Sequence, residues 1–315
     1  MDRSALKRHL VPALLFLAFA LVPLVARSGG ESYVLSLIAR VMILGIAALS
    51  LDLILGFGAL ISFGHAAFLG IGAYAVGILA AHGIDEVLPQ LAVALAGSAF
   101  FALLTGAISL RTKGVYFIMI TLAFGQMLYF LVVSLSAYGG DDGMTLASKS
   151  TVFGSNALDD DHVFHYVALG CLLGAYLICR SVVASRFGRV LRGTRENPVR
   201  MQAMGFDPLA FQLGAYVIAG VLCGMSGFLL ANQTEFVTPA FMTWQRSGEL
   251  IFMVVLGGLG TLHGAIAGAA AFIILEELLS RMTEHWKMIF GPMLVLVALF
   301  ARGGIMSLLG GGRRE

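Results

Sequence analysis

The chain has 315 residues, of which 59% are hydrophobic and 12% charged, and its formal net charge is +2. Soluble domains carry about 25% charged residues, so a water-soluble globular domain is excluded. Continuous apolar runs such as 11–26 and 288–301 suit membrane helices of roughly 20 residues and not the alternating strands of a membrane barrel.

In chain order, the first predicted helix, 10–26, follows Arg3, Lys7 and Arg8. Its apolar run is longer than a secretory signal core, so an uncleaved span is expected. Further spans are predicted at 33–55, 59–81, 88–110, 115–136, 164–180, 209–231, 248–261, 262–280 and 287–302. The expectation is an all-α polytopic membrane protein with about ten transmembrane helices, forming a single transmembrane domain over 1–315. The pair 248–261 and 262–280 is either two crossings or a re-entrant hairpin, and both return the chain to the same side.

Charge placement orients the spans. Segments 1–9, 111–114, 180–208 and 302–315 hold 14 of the 20 lysines and arginines, which predicts both termini on the inner side. The loop 137–163 then lies outside. It is acidic, with Asp141, Asp142, Asp159, Asp160 and Asp161, and is long enough to carry a short element or a partner contact. His162 and His165 beside these aspartates form too weak a pattern for a metal site, and a solvated loop is the reading adopted. Cys171, Cys179 and Cys223 all fall in apolar runs, without disulfide or metal spacing. The arginines sit beside spans, which gives nucleic-acid binding no support.

The segment 181–208 is the arginine-rich one, with Arg186, Arg189, Arg192, Arg195 and Arg200. Asn197 before Pro198 is a helix start, and Gly205 suits the position just past a helix end. This spacing predicts a two-turn helix over Pro198–Met204, whose Val199, Ala203 and Met204 are free to enter a groove. A loop that serves only topology needs charge but no caps. Docking of a partner is therefore the functional reading, and an ordinary basic surface helix the alternative.

Two glycine clusters, Leu55-Gly-Phe-Gly-Ala-Leu60 and Leu256-Gly-Gly-Leu-Gly-Thr-Leu262, lie between apolar spans. Glycine-interrupted spans expose backbone groups to a polar pathway. Gly56, Gly58, Gly257, Gly258 and Gly260 are accordingly candidate pathway residues, whether the two clusters form an internal repeat or recur by chance. Gly64, Gly70 and Gly72 are better read as close helix packing. Among polar residues within or near spans, Asp52, His65, Thr121, Gln126 and Glu249 are pathway candidates because unsatisfied polar atoms are costly in hydrocarbon. His65 and Gln126 are expected to be buried, and Ser62 joins the candidate set. Ser62 with His65 lacks a Gly-x-Ser-x-Gly elbow, which argues against an enzyme. His65 and His263 lack His-Glu-x-x-His spacing, so no metal is expected. No Gly-x-x-x-x-Gly-Lys-Ser/Thr stretch occurs, so phosphate chemistry is not expected of this chain.

Three stretches together resemble a known family. They are Leu53–Tyr74, the segment from Gly188-Arg189 through Arg195-Glu196-Asn197 to Ala203-Met204-Gly205, and Val254–Ala265 continuing to Leu275-Glu276-Glu277. The chain is similar to permease subunits of bacterial high-affinity branched-chain amino acid ABC importers of the LivM type, over roughly residues 33–302. Two departures stand out. Asp52 occupies a position where members often carry asparagine, and the segment 299–304 lacks an expected proline.

The resemblance implies that Arg195, Glu196, Asn197, Arg200 and Gly205 belong to a coupling segment that engages a cytoplasmic ATPase. It implies a heterodimer with a second related permease, two ATP-binding subunits and an extracytoplasmic substrate-binding protein. ATP and Mg would reside on the ATPase subunits, with no cofactor in this chain. The implied location is the bacterial inner membrane, and the implied mechanism is alternating access. Leucine, isoleucine and valine are the implied cargo, with urea, amides and aromatic acids as alternatives. The competing function is an ion-coupled secondary amino acid transporter using Asp52, His65 and Glu249 as relay groups.

Overall fold

Backbone N–H and C=O groups in hydrocarbon must be satisfied within the chain, which turns long apolar runs into helices. The computed structural model describes residues 3–26, 31–283, 285, 288–293, 295 and 304–305. Within them are the helices α1 (Arg3–Ala26), α2 (Glu31–Leu55), α3 (Ala66–Ala81), α4 (Val87–Ser109), α5 (Val115–Val133) and α6 (Asp161–Ala184). They continue with α7 (Arg186–Glu196), α8 (Pro198–Ala203), α9 (Pro208–Thr234), α10 (Trp244–Gly257) and α11 (Leu262–Met282). Among the described residues, α2, α4, α5, α6, α9 and α11 are long and apolar enough to cross a membrane. The predicted span 287–302 falls largely outside the described residues.

Burial separates centre from periphery. The most apolar stretches of α2 and α9 are 72% and 67% buried, against 22% for α5, so the first two form the axis of the bundle. α2 packs on α6, α9 and α11, while α9 also packs on α3 and α4. The α3–α9 crossing is backbone-close. A Cβ on Gly72 would sit 1.9 Å from the Gly224 carbonyl oxygen, and one on Gly227 would sit 1.8 Å from that of Leu69. Small residues that let backbones approach are how helices associate where the hydrophobic effect is weak. α5 turns Tyr116, Met119, Met127 and Phe130 outward.

Two expectations change, and one pair of spans is defined more closely. The span 59–81 becomes helical only at Ala66, because 56–65 is an irregular segment, buried at 56–58, 62, 64 and 65 and exposed at Ala59 and Ile61. The segment 181–208 is not a loop with one short helix. α6 extends to Ala184, and α7 fills 186–196 with Val190, Leu191 and Thr194 turned inward. The Ser185 hydroxyl caps α7 by accepting from the Gly188 N–H at 3.4 Å. The pair 248–261 and 262–280 is a helical hairpin, with α10 and α11 joined at 258–261.

The acidic loop carries short structure. Strand β1 (Met144–Thr145) pairs antiparallel with β2 (Phe236–Val237), tying the loop to the end of α9. Asp160 caps α6 by accepting from the His162 N–H at 2.8 Å. His165 is a buried core histidine whose Nε2 lies 2.9 Å from the Phe19 carbonyl oxygen.

Candidate translocation and coupling site

The irregular segment 56–65 is where the candidate residues gather. α2 ends when Ala59 adopts a left-handed conformation (φ +54°) and the Leu60 N–H donates to the Ile54 carbonyl at 3.0 Å. The amides beyond it have no helix to satisfy them, and neighbouring helices supply acceptors instead. The Phe63 N–H donates to Thr121 Oγ1 of α5 at 3.3 Å. The Ala66 N–H, at the start of α3, donates to Ser247 Oγ of α10 at 3.0 Å. His65 Nε2 lies 2.9 Å from Ser50 Oγ of α2. Irregular backbone at membrane depth is tolerated only where protein encloses it in this way.

The second glycine cluster meets the first. Gly258 and Gly260 take positive φ values of +112° and +73° between α10 and α11. A Cβ on Gly56 would lie 2.4 Å from the Gly260 nitrogen. Asp52, fully buried on α2, fastens the contact, its Oδ1 accepting from the Gly260 N–H at 2.8 Å. Its Oδ2 is buried without a hydrogen-bond partner among the described residues. Although Asp52 lies only three residues before the end of α2, this chain shields it from solvent. The two glycine clusters form one node in which each break packs on the other.

The arginine-rich segment closes the node from a third side. Arg195, in the last turn of α7, donates from its guanidinium to the Gly56 carbonyl and acts electrostatically on Asp52. Next to it, Asn197 Oδ1 accepts from the Arg200 N–H at 2.9 Å, capping α8 as its sequence predicts. The helix runs Pro198–Ala203, and Gly205 follows with φ +86°. Met201 is buried and sits where a Cβ on Gly193 would lie 2.6 Å from its Sδ, so α8 folds back on α7. Val199 and Met204 remain 69% and 56% exposed, which leaves α8 an apolar surface with no cover among the described residues.

Beside the node a cleft of about 560 Å³ opens between the α2 break, the α4–α5 turn and α7–α8. Its lining includes Gly58, Arg111, Lys113, Arg195, Pro198 and Gln202. Gly58 packs on Leu191 of α7, a Cβ there lying 3.5 Å from the leucine Cδ1. Ser62 and His65 are fully buried in the irregular segment.

Other candidates lie elsewhere. Gln126 is only half-buried on α5, so the expectation of burial fails for it, although a Cβ on the adjacent Gly125 would lie 3.2 Å from the Gly64 Cα. Glu249 sits near the start of α10, paired with Arg246 at 2.6 Å and away from the node. Gly257 serves the α10–α11 crossing, where a Cβ would meet the Gly264 carbonyl oxygen at 1.9 Å. Ser50 and Ser247 were missed by sequence reasoning. Small hydroxyls within apolar helices give no signal until a partner amide faces them.

Comparison with known proteins agrees with this architecture. The profile described as "Branched-chain amino acid transport system / permease component" matches residues 33–299. A high-affinity branched-chain amino acid transport system permease protein LivM of Salmonella typhimurium is 27% identical, over 98% of this chain and 77% of its own length. The LivM protein of Escherichia coli K12 is 28% identical over the same shares. A probable branched-chain amino acid transport permease protein LivH of Methanocaldococcus jannaschii is 32% identical over 36% of this chain and 35% of its own. No solved structure matches the chain. The family match covers the helix breaks, the arginine-rich segment and the multi-pass helical bundle together, and the chain belongs to the family of permease components of branched-chain amino acid transport systems.

Proposed function

We propose that this chain is a permease subunit of an ATP-binding-cassette importer that moves branched-chain or related hydrophobic amino acids into the cell. Its bundle crosses the inner membrane about ten times as a single domain with both termini inside. Separate ATPase subunits supply the energy and hold ATP and Mg, and a related second permease completes the path. A binding protein on the outer side selects the cargo.

The observation that carries this reading is the hydrogen bond from Arg195 to the Gly56 carbonyl. It connects a short, capped and partly uncovered helix pair directly to the break in α2. A device that only met the positive-inside rule would need no such bond. In this reading α8 offers Val199 and Met204 to a groove on the ATPase. Arg195, Glu196, Asn197, Arg200 and Gly205 form the coupling segment, and its displacement shifts the Gly56–Gly260 contact between two arrangements. Gly58, Ser62 and His65 border the route that opens, Asp52, Gly257, Gly258 and Gly260 shape its wall, and Gln126 lies at its edge.

An ion-coupled transporter using Asp52, His65 and Glu249 as relays is less well supported. Glu249 pairs with Arg246 away from the node, and Asp52 is committed to a backbone amide. The test is the double substitution Glu196→Lys with Arg200→Glu in the complete importer. It is expected to abolish ATP-driven uptake with membrane insertion intact. Uptake at the unsubstituted level would remove α8 from the energy path, and uptake driven by an ion gradient without ATP would overturn the importer reading.

A further inference from the structure

A second cleft, of about 320 Å³, lies at the opposite end of the bundle from the one beside α8. It is walled by residues 36–44 of α2, the end of α9 and the start of α10. Its size is at the lower end of ligand pockets, which run about 300–1,000 Å³. Two arginines line it, Arg40 of α2 and Arg246 of α10. Arg40 is, like Asp52, a charge within a largely apolar helix, a position where a charge marks function by default.

Each arginine is braced from the side by an acid that does not line the cleft. Arg40 pairs with Glu276 at 3.6 Å and Arg246 with Glu249 at 2.6 Å. One such contact leaves donors unused on each guanidinium, which has five N–H groups in a planar fork. The two side chains are 35% and 22% exposed, open enough to receive a ligand. Leu44, Leu230 and Phe241 give the wall an apolar part, and Ser36, Gln233 and Thr234 complete it. The Gln233 amide oxygen nearby is buried with no donor among the described residues, which leaves an acceptor for an ammonium group. A cationic fork, a spare acceptor and an apolar wall are the complement of an aliphatic zwitterion.

We propose that this cleft receives the cargo, with Arg40 and Arg246 holding the α-carboxylate of an aliphatic amino acid and Leu44, Leu230 and Phe241 contacting its side chain. The inference rests on the transport reading and adds to it the place where cargo is first held. The same α2 that carries Arg40 ends at the Gly56 break, about 24 Å further along at 1.5 Å per residue. Cargo at one end and the coupling segment at the other thereby act on one rigid helix.

The test uses the assembled importer with Ser36→Cys on a Cys171→Ala background, since Ser36 is exposed and lines the cleft. Millimolar L-leucine is expected to slow maleimide labelling of that cysteine at least threefold. Leucinamide, which lacks the carboxylate, is expected to leave labelling unchanged. Arg40→Gln and Arg246→Gln are expected to remove the protection. Where either fails to insert, Arg40→Lys and Arg246→Lys keep the charge without the fork and are expected to weaken it. Equal protection by leucinamide, or full protection in the arginine variants, overturns the proposal. So does protection by docked binding protein alone, which would give the arginines to a protein carboxylate. Leucine uptake by the unsubstituted importer is measured in parallel. Intact uptake without protection removes only the cleft assignment, whereas no uptake removes the transport reading as well.

Discussion

At the residue scale, Asp52 and Arg195 reach the same helix break from different sides, one accepting from the Gly260 amide and the other donating to the Gly56 carbonyl. What the fold requires at position 52 is an acceptor for a buried N–H, which an amide side chain also provides. Asp52→Asn is therefore expected to keep uptake within about threefold, while Asp52→Leu leaves the Gly260 N–H unsatisfied at a cost of about 1–3 kcal/mol. Uptake by the two variants, at matched expression, checks this. Activity lost equally in both would mean that the carboxylate charge is needed, and would revive a relay role.

The same residue shows what the sequence withholds. The Asn197 cap was legible because its bond closes within four residues. The burial of Asp52 was not, because its partner lies 208 positions away in another helix linker. The glycine clusters could be read as helix breaks from their own composition. That they pack on each other depends on how α10 and α11 return to α2. Ser247 caps a helix 181 positions distant, and no local pattern announces that.

At the element scale, α8 has six residues and cannot be stable alone in water. Its cap and the packing of Met201 on α7 hold it. Asn197→Ala is expected to cost about 0.5–2 kcal/mol of local helix stability and to reduce uptake while the bundle stays folded. Faster amide exchange at 200–204, with unchanged detergent-phase stability, is the measurement. Val199→Asp alters only the exposed surface, so it is expected to abolish copurification of the ATPase without changing exchange. At the α3–α9 crossing the demand is steric. Gly72→Val places carbons inside contact distance of backbone and is expected to prevent a monodisperse protein from being isolated, as overpacking against a carbonyl has no rotamer escape. Size-exclusion profiles would show it.

The helical, membrane-spanning character was the most legible property at this scale, since apolar length depends on local composition; against about ten expected spans, six helices among the described residues are long and apolar enough to cross. Element ends were less so. The sequence pattern placed a span over 59–81 because residues 59–65 are as apolar as a helix. Their irregular backbone is made possible by side chains of α5 and α10 that accept from the Phe63 and Ala66 N–H groups. The helix α7 was hidden by its charge, since its buried residues Val190, Leu191 and Thr194 are few among arginines.

At the scale of the whole molecule, α2 and α9 form an axis with a basic cleft at one end and a smaller arginine-lined cleft at the other. α3 and α10 have only 16 and 14 residues, about 24 and 21 Å of rise, short of a hydrocarbon core of about 30 Å. The missing length is made up by irregular backbone, which can change conformation without unzipping a helix. Glycine in that backbone permits sliding of one break past the other, so Gly58→Leu is expected to arrest transport by wedging α2 against α7. ATP hydrolysis should persist in that variant, and uptake equal to the unsubstituted protein would assign Gly58 to packing alone.

The most direct measurement is on Arg195→Gln in the reconstituted importer, with ATP hydrolysis and amino acid uptake followed in the same vesicles. The account predicts an assembled complex that still hydrolyses ATP while uptake falls at least tenfold. Uptake and hydrolysis both at unsubstituted rates would contradict it.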